Sequence, residues 1–306
     1  MGTSKESSRN ISKRLPPETT GAPQLAPAAT SLERCGIAGP DRRSRSIPAF
    51  SRHQIKEQAW NSGVKVSEPA PGVHFVEGPA SNWVLVRDSS GFMMIDGGYP
   101  ADRDLVLESI RGLGLDPADA KAMLITHGHV DHTGSAAYFS RTFGTPILCS
   151  PAELPHVQGK EKHQVTFGQV LVRAWRPRVF RWMLHVIKAK ALQAEPATDA
   201  RAWTEEKLRS LPGQPRAIPL SGHTPGNSAL LLPGAGAIAV GDTFVSGHPI
   251  SPASGPQMLH RMYHSDAAAA LASARQLESV QANVILPGHG AALHMPLAQA
   301  VQTLRH

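Results

Sequence analysis

Four side chains of the types that can ligate a metal crowd into six consecutive positions of this chain. They are His127, His129, Asp131 and His132, in the stretch T-H-G-H-V-D-H-T-G from Thr126 to Gly134. The run Ala122-Met123-Leu124-Ile125 before it is apolar and of strand type, and Ser135 to Phe143 after it is helix-like. The four residues are therefore expected on a loop between a strand and a helix, where a rigid strand end can hold several ligands at fixed angles. Imidazoles with carboxylates and no thiolate suit zinc, manganese or iron(II) rather than a structural cysteine site. A His-rich surface loop is the plain alternative. An H-x-H-x-D-H pattern directly after a strand is hard to obtain by chance, even with 15 His in the chain.

The surrounding texture is that of alternating short strands and helices. Val73 to Val76, Trp83 to Val86 and Phe92 to Ile95 are apolar runs separated by Gly78-Pro79 and by Asp88-Ser89-Ser90-Gly91, the signature of successive antiparallel strands. Val106, Ile110 and Leu113 share one face of a helix over Leu105–Leu113. A strand at 146–149 follows the ligand loop and its helix. Strand patterns return at 216–220, 228–232, 237–240 and 284–286, with an Ala-rich helix at 266–279 that begins near Asp266. Strands followed by a helix, repeated twice, predict an α/β domain of four αββα layers.

Two segments break that texture. Residues 1–60 are rich in Ser, Pro, Arg and Ala, and are expected to form a disordered basic tail ahead of a domain spanning 61–306. Residues 151–216 are expected to be a helical insertion. There Trp175, Val179, Phe180, Met183, Val186 and Ile187 recur at helical spacing among Arg176, Arg178, Arg181, Lys188 and Lys190. Its apolar face is read as packing on the core, with a lid or a membrane-surface contact as the functional alternatives.

The net charge of +7 belongs to these two segments: +5 over residues 1–60, +6 over 151–216 and −4 over the rest. A mildly acidic core speaks against nucleic acid as the partner. With two distant cysteines, Cys35 and Cys149, no disulfide framework is expected, and the setting is read as cytoplasmic. No apolar run is long enough to span a bilayer.

Three later positions repeat the placement of a polar ligand in a Gly-flanked loop after an apolar strand: His223 in S-G-H-T-P-G, Asp242 in G-D-T and His289 in P-G-H-G. Together with D-G-G at Asp96, the ordered set D-G-G, H-x-H-x-D-H, G-H-T-P-G, G-D-T and P-G-H-G resembles the metallo-β-lactamase superfamily over roughly residues 70–295. The resemblance implies two mixed β-sheets with helices outside and the site at one edge. It also implies two divalent metal ions, zinc first, with iron or manganese as alternatives. His127, His129 and His223 would hold one ion, Asp131, His132 and His289 the other, and Asp242 would bridge. Asp96 would support the ligand loop without being a ligand.

The implied chemistry is hydrolysis, a metal-bound hydroxide attacking an ester-type carbonyl of a small-molecule substrate, with Asp131 orienting the nucleophile or relaying a proton. Asp242 stands where the family's true β-lactamases carry Cys or Ser, which points to thioesterase-like or lactonase-like members. His129 stands where redox members carry Glu, which favours hydrolysis. Only 17 residues follow His289, too few for the glutathione-binding domain of glyoxalase II proper. Phosphodiester or RNA cleavage using the basic insertion is the alternative reaction, and a metal-stabilised binding module the alternative class. Among other residues, Asn227 is read equally as a substrate contact or a turn cap. Tyr263 is a candidate oxyanion donor, as in lactonase-like relatives. One of His248, His260 and His264 is a candidate to reach the pocket, with ordinary polar loop residues as the plain reading, and His156, His163 and His185 are given no site role.

Overall fold

The computed structural model describes residues 58–59 and 64–305, so almost all of the expected tail, with Cys35, lies outside the described residues. Two mixed sheets make up the described fold. The first has eight strands in chain order: β1 (Gln58–Ala59), β2 (Lys65–Ala70), β3 (Val73–Glu77), β4 (Asn82–Asp88), β5 (Gly91–Ile95), β6 (Ala120–Leu124), β7 (Ile147–Cys149) and β8 (Arg201–Ala202). Pairing is antiparallel as far as β5 and parallel from β5 to β8. The crossovers carry helices α1 (Arg103–Gly112), α2 (Val130–Thr133) and α3 (Ala136–Phe143).

The second sheet contains β9 (Arg216–Pro219), β10 (Ser228–Leu232), β11 (Ala237–Gly241), β12 (Val284–Pro287) and β13 (Leu293–His294), in the order β13-β12-β11-β10-β9. Its one parallel pair is β11 with β12.

Side-chain alternation decides what each face of the second sheet covers. Leu230, Leu232, Ala237, Ala239 and Leu286 pack into the same core as Val84, Val86 and Met93 of the first sheet. The residues between them, Ala229, Ile238, Val240 and Ile285, pack outward with Leu297, Ala300 and Val301. Those last three belong to a C-terminal helix over Leu297–Gln302. Val106, Ile110 and Phe139 of α1 and α3 cover the other face of the first sheet. The result is the expected αββα sandwich. The Ala-rich helix runs over Ala267–Gln276, and its N-cap Asp266 accepts hydrogen bonds from the Ala268 and Ala269 amides, satisfying two donors that the first turn leaves free.

The segment 151–216 is not helical throughout. Its last part returns to the sandwich: β8 pairs with β7, and Trp203, Leu208 and Leu211 join the central core. A hydrogen bond of 3.1 Å from the Ala197 amide to the Val157 carbonyl closes the base of the excursion. A two-residue strand carries no periodicity, which is why this return leaves no trace in the sequence pattern. After α4 (Leu154–Val157), the excursion proper, 158–196, contains α5 (Phe167–Leu171) and the twelve-residue α6 (Pro177–Lys188). Val170, Val179, Trp182 and Met183 of this region cluster with Val245, Leu259 and Tyr263. The inner face of the insertion thus packs on the loop that follows β11.

Candidate metal centre

Every residue of the centre sits just beyond the C-terminal end of a strand. Asp96 follows β5, His127 to His132 follow β6, His223 follows β9, Asp242 follows β11 and His289 follows β12. The sheets bring together all seven residues expected as ligands. His127, His129, His223 and Asp242 form one group with ligand atoms within 4.8 Å of one another, and Asp131, His132 and His289 form another.

In the first group, His127 Nε2, His129 Nδ1 and His223 Nε2 stand 3.1, 3.1 and 3.0 Å apart. Three nitrogens about 2.0–2.1 Å from one tetrahedral ion are about 3.3 Å apart, so this triangle has the size of a zinc-like site. Asp242 lies between the groups. Its Oδ2 is 3.6 Å from His223 Nε2 and 3.2 Å from His289 Nε2, and its Oδ1 is 3.5 Å from His132 Nε2.

The other nitrogen of each imidazole is engaged, which fixes the atom left for the centre. His132 Nδ1 donates to Asp96 Oδ2 at 2.8 Å, and His289 Nδ1 donates to the Ala80 carbonyl at 2.6 Å. His127 Nδ1 lies 3.1 Å from the Thr126 hydroxyl, which itself donates to Asp96 Oδ2. His129 Nε2 donates to the His163 carbonyl at 3.1 Å. His223 Nδ1 meets His264 Nδ1 at 3.1 Å, while His264 Nε2 donates to the Leu259 carbonyl. In each case a lone pair is directed inward.

His132 Nε2 and Asp242 Oδ1 are buried with no hydrogen-bond partner, a costly arrangement unless a cation completes it. Gly288 keeps the space between them open, since any Cβ there would collide with Asp242 Oδ1 and His132 Cε1. The residues present therefore fit a pair of divalent ions.

The electrostatics agree. Burial depresses the imidazoles of His127, His129 and His223, which keeps them neutral. Burial would do the same to His132, but the carboxylates of Asp96, Asp242 and Asp131 outweigh it and raise that group to about 9. His289 is raised in the same way against its burial, by Asp242 and Asp131. Negative charge is thus concentrated on the second group, which without a cation draws protons in its place.

Glu153 escaped the sequence reading. It is fully buried, and its carboxylate ties together the two loops that hold the first group. Oε1 accepts from the Gly128 amide and from His156 Nδ1, each at 2.8 Å. Oε2 accepts from the Thr224 hydroxyl and the Gly226 amide, each at 2.8 Å. Burial would raise its pKa, but the bonds from His156, Gly128 and Thr224 prevail and hold it below the usual carboxylate value.

Four readings of polar residues change. His163 orients His129 through its carbonyl, His156 donates to Glu153, and His264 backs His223. Asn227 makes no turn cap and does not line the cavity. It is buried, donating to the Leu220 carbonyl and the Thr243 hydroxyl.

A cavity of about 600 Å³ opens onto the centre. It is lined on the polar side by His129, Asp131, His248 and Tyr263, and on the apolar side by Val170, Trp182, Met183 and Val186. The Tyr263 hydroxyl is buried without a partner, and burial pushes its pKa well up, so it remains a neutral donor. Burial, with His289 nearby, drives His248 down to about 3.

A profile of the Metallo-beta-lactamase superfamily matches residues 76–289, well over half of the chain, and the chain belongs to that superfamily. Among its relatives is the probable metallo-hydrolase YflN of Bacillus subtilis (strain 168), 24% identical over 235 residues that cover 73% of this chain and 85% of YflN. The fold is shared with the metallo-beta-lactamase family protein TTHA1429 from Thermus thermophilus, at a TM-score of 0.55 and 20% identity over 76% of this chain and 77% of that one. It is shared too with TTHA1623, solved in a di-iron-bound form, at a TM-score of 0.50 and 25% identity over 74% of this chain and 96% of that one.

Proposed function

We propose that this chain is a dinuclear metal-dependent hydrolase acting on an ester-type carbonyl, a thioester or a lactone. The observation that carries the proposal is the position of Asp242, whose two oxygens face both groups of inward-directed lone pairs at the floor of a largely apolar cavity. His127, His129 and His223 would hold one ion, Asp131, His132 and His289 the other, with Asp242 between them. Zinc and iron both suit this donor set, and the di-iron form of TTHA1623 keeps iron in view.

When bound, the ions supply Lewis-acid polarisation of the substrate oxygen and a water acidic enough to act as nucleophile near neutral pH. The chain's own residues do the rest. The Asp131 carboxylate lines the cavity and lies 3.4 Å from His289 Nε2, where it can accept the proton of the attacking water. The Tyr263 hydroxyl donates to the carbonyl oxygen as that atom gains charge. Val170, Trp182, Met183 and Val186 hold the acyl part and exclude bulk water.

The test is the initial rate on matched acyl thioester and acyl lactone substrates, with and without chelator. Chelator-sensitive turnover of either substrate is expected, and the preferred leaving group identifies the bond. No turnover of either with two metals bound would sink the proposal.

One observation favours a phosphodiester as second reading. A neighbouring cavity of about 920 Å³ is lined by Arg176, Arg178, Arg181 and Arg305, with no carboxylate side chain among the described residues of its lining. That reading requires steeply salt-dependent nucleic-acid binding, and binding indifferent to salt would remove it.

A further inference from the structure

Among the described residues, every large exposed hydrophobic side chain falls between Leu171 and Leu192. Val172 and Trp175 are about three-quarters exposed, and Leu192 nearly as much. On α6, Phe180, Leu184 and Ile187 recur at i, i+4 and i+7, so they form one stripe along the helix. Val179, Trp182 and Met183 are buried on the adjoining side. The helix is therefore apolar on two faces, only one of which the protein covers.

The same stretch is uniformly cationic. From residue 162 to 194 there are seven Lys and Arg and no Asp or Glu. Arg181 and Lys188, one step round from the stripe, are exposed, and among the described residues no carboxylate pairs with either. An apolar stripe bordered by unpaired cations, with Trp and Phe at its level, is the composition of a helix lying in the headgroup plane of an anionic bilayer. At twelve residues, α6 is about 18 Å long, suited to lying on a membrane and too short to cross one. A second copy of the chain is a poor occupant, because it would set seven cations against seven.

We infer that the outer face of α6, with the turn carrying Trp175, docks onto an anionic phospholipid surface. The face is continuous with the rim of the metal-centre cavity, since Ile187 and Leu192 belong to both. A docked molecule would open its cavity toward the lipid. The inference stands on the surface alone and requires nothing of the reaction.

Vesicle flotation of the full chain tests it, comparing phosphatidylglycerol-containing with pure phosphatidylcholine vesicles. The protein should float with the anionic vesicles at low salt and stay behind with the neutral ones. The double variant Arg176→Ala/Arg181→Ala should lower partitioning about 25-fold, from about five-fold per surface cation. Trp175→Ser/Phe180→Ser should lower it as well, with the fold checked by circular dichroism. Brominated lipid should quench the parent's tryptophan emission and leave Trp175→Phe unquenched. Unchanged partitioning of both double variants would assign any binding to the basic residues before 60 and overturn the inference. So would failure to bind anionic vesicles, or sedimentation showing a dimer that Trp175→Ser dissociates.

Discussion

At the scale of single residues, the centre depends on acceptors that face away from it. Asp96 has a left-handed backbone, φ 61°, and spends both oxygens on Thr126 and His132. Asp96→Asn keeps the shape but loses an acceptor for His132, so metal in the second group should bind about 10–100-fold more weakly, with the first group less affected. Metal stoichiometry under chelator competition measures this. Glu153→Gln would set an amide N–H against the Gly128, Thr224, Gly226 or His156 donors. Denaturant unfolding should then show a loss of about 1–3 kcal/mol.

Burial, reinforced by Glu153, pushes the Cys149 thiol from its ordinary 9.0 up to about 12. Between those values the folded protein keeps a proton that the unfolded chain has released, so this group's contribution to stability is lost as pH rises. In a Cys35→Ser background, Cys149 should resist alkylation at pH 8 in the folded state and react once unfolded. Five of the candidate ligands were legible because each sits in a short Gly-flanked loop after an apolar strand, and Asp131 and His132, which fall in the one-turn helix α2, by their place in H-x-H-x-D-H. Asp96 was legible only by resemblance. Glu153 and His264 were not legible at all, because the partners that tie them to the ligand loops, Gly128 to Gly226 for Glu153 and His223 for His264, lie 25 to 73 and 41 positions away and such bonds impose no spacing.

At the scale of elements, α6 serves the site from its inner face. Trp182 stacks edge-on against Tyr263, ring centroids 5.6 Å apart, and its ring centroid lies 6.0 Å from that of His248. Trp182→Ala should cost about 3–5 kcal/mol if the excursion unfolds with the domain. Should the excursion loosen on its own, the global unfolding midpoint will hold while KM for a substrate of the proposed acyl class rises. Calorimetry together with steady-state kinetics separates the two outcomes. The apolar runs that became β3 to β7 and β9 to β12 were readable from alternation and turn residues. The edge strands β1, β8 and β13, two residues each, were not, since pairing with a neighbour rather than their own pattern makes them strands.

At the scale of the whole molecule, two sheets are held face to face by a core and by the loops around the centre. The Asn82 side chain donates to the Pro287 and Gly290 carbonyls at 2.9 and 2.7 Å, which fastens the first sheet to the loop carrying His289. Metal in the centre would add to that fastening. Stripping it should lower Tm, the free energy of unfolding falling by about 1.4 kcal/mol for each tenfold excess of free metal over Kd that is lost. Differential scanning calorimetry with and without chelator checks this.

The division of donors between the sheets has a consequence for assembly. His127 and His129 follow a strand of one sheet, while His223 and Asp242 follow strands of the other. Neither sheet alone carries a complete first group. An ion captured early, by one half of a nascent chain, would have partners missing and would be surrendered easily. Secure capture would begin only when the halves meet, so metal retention would mark the moment of docking.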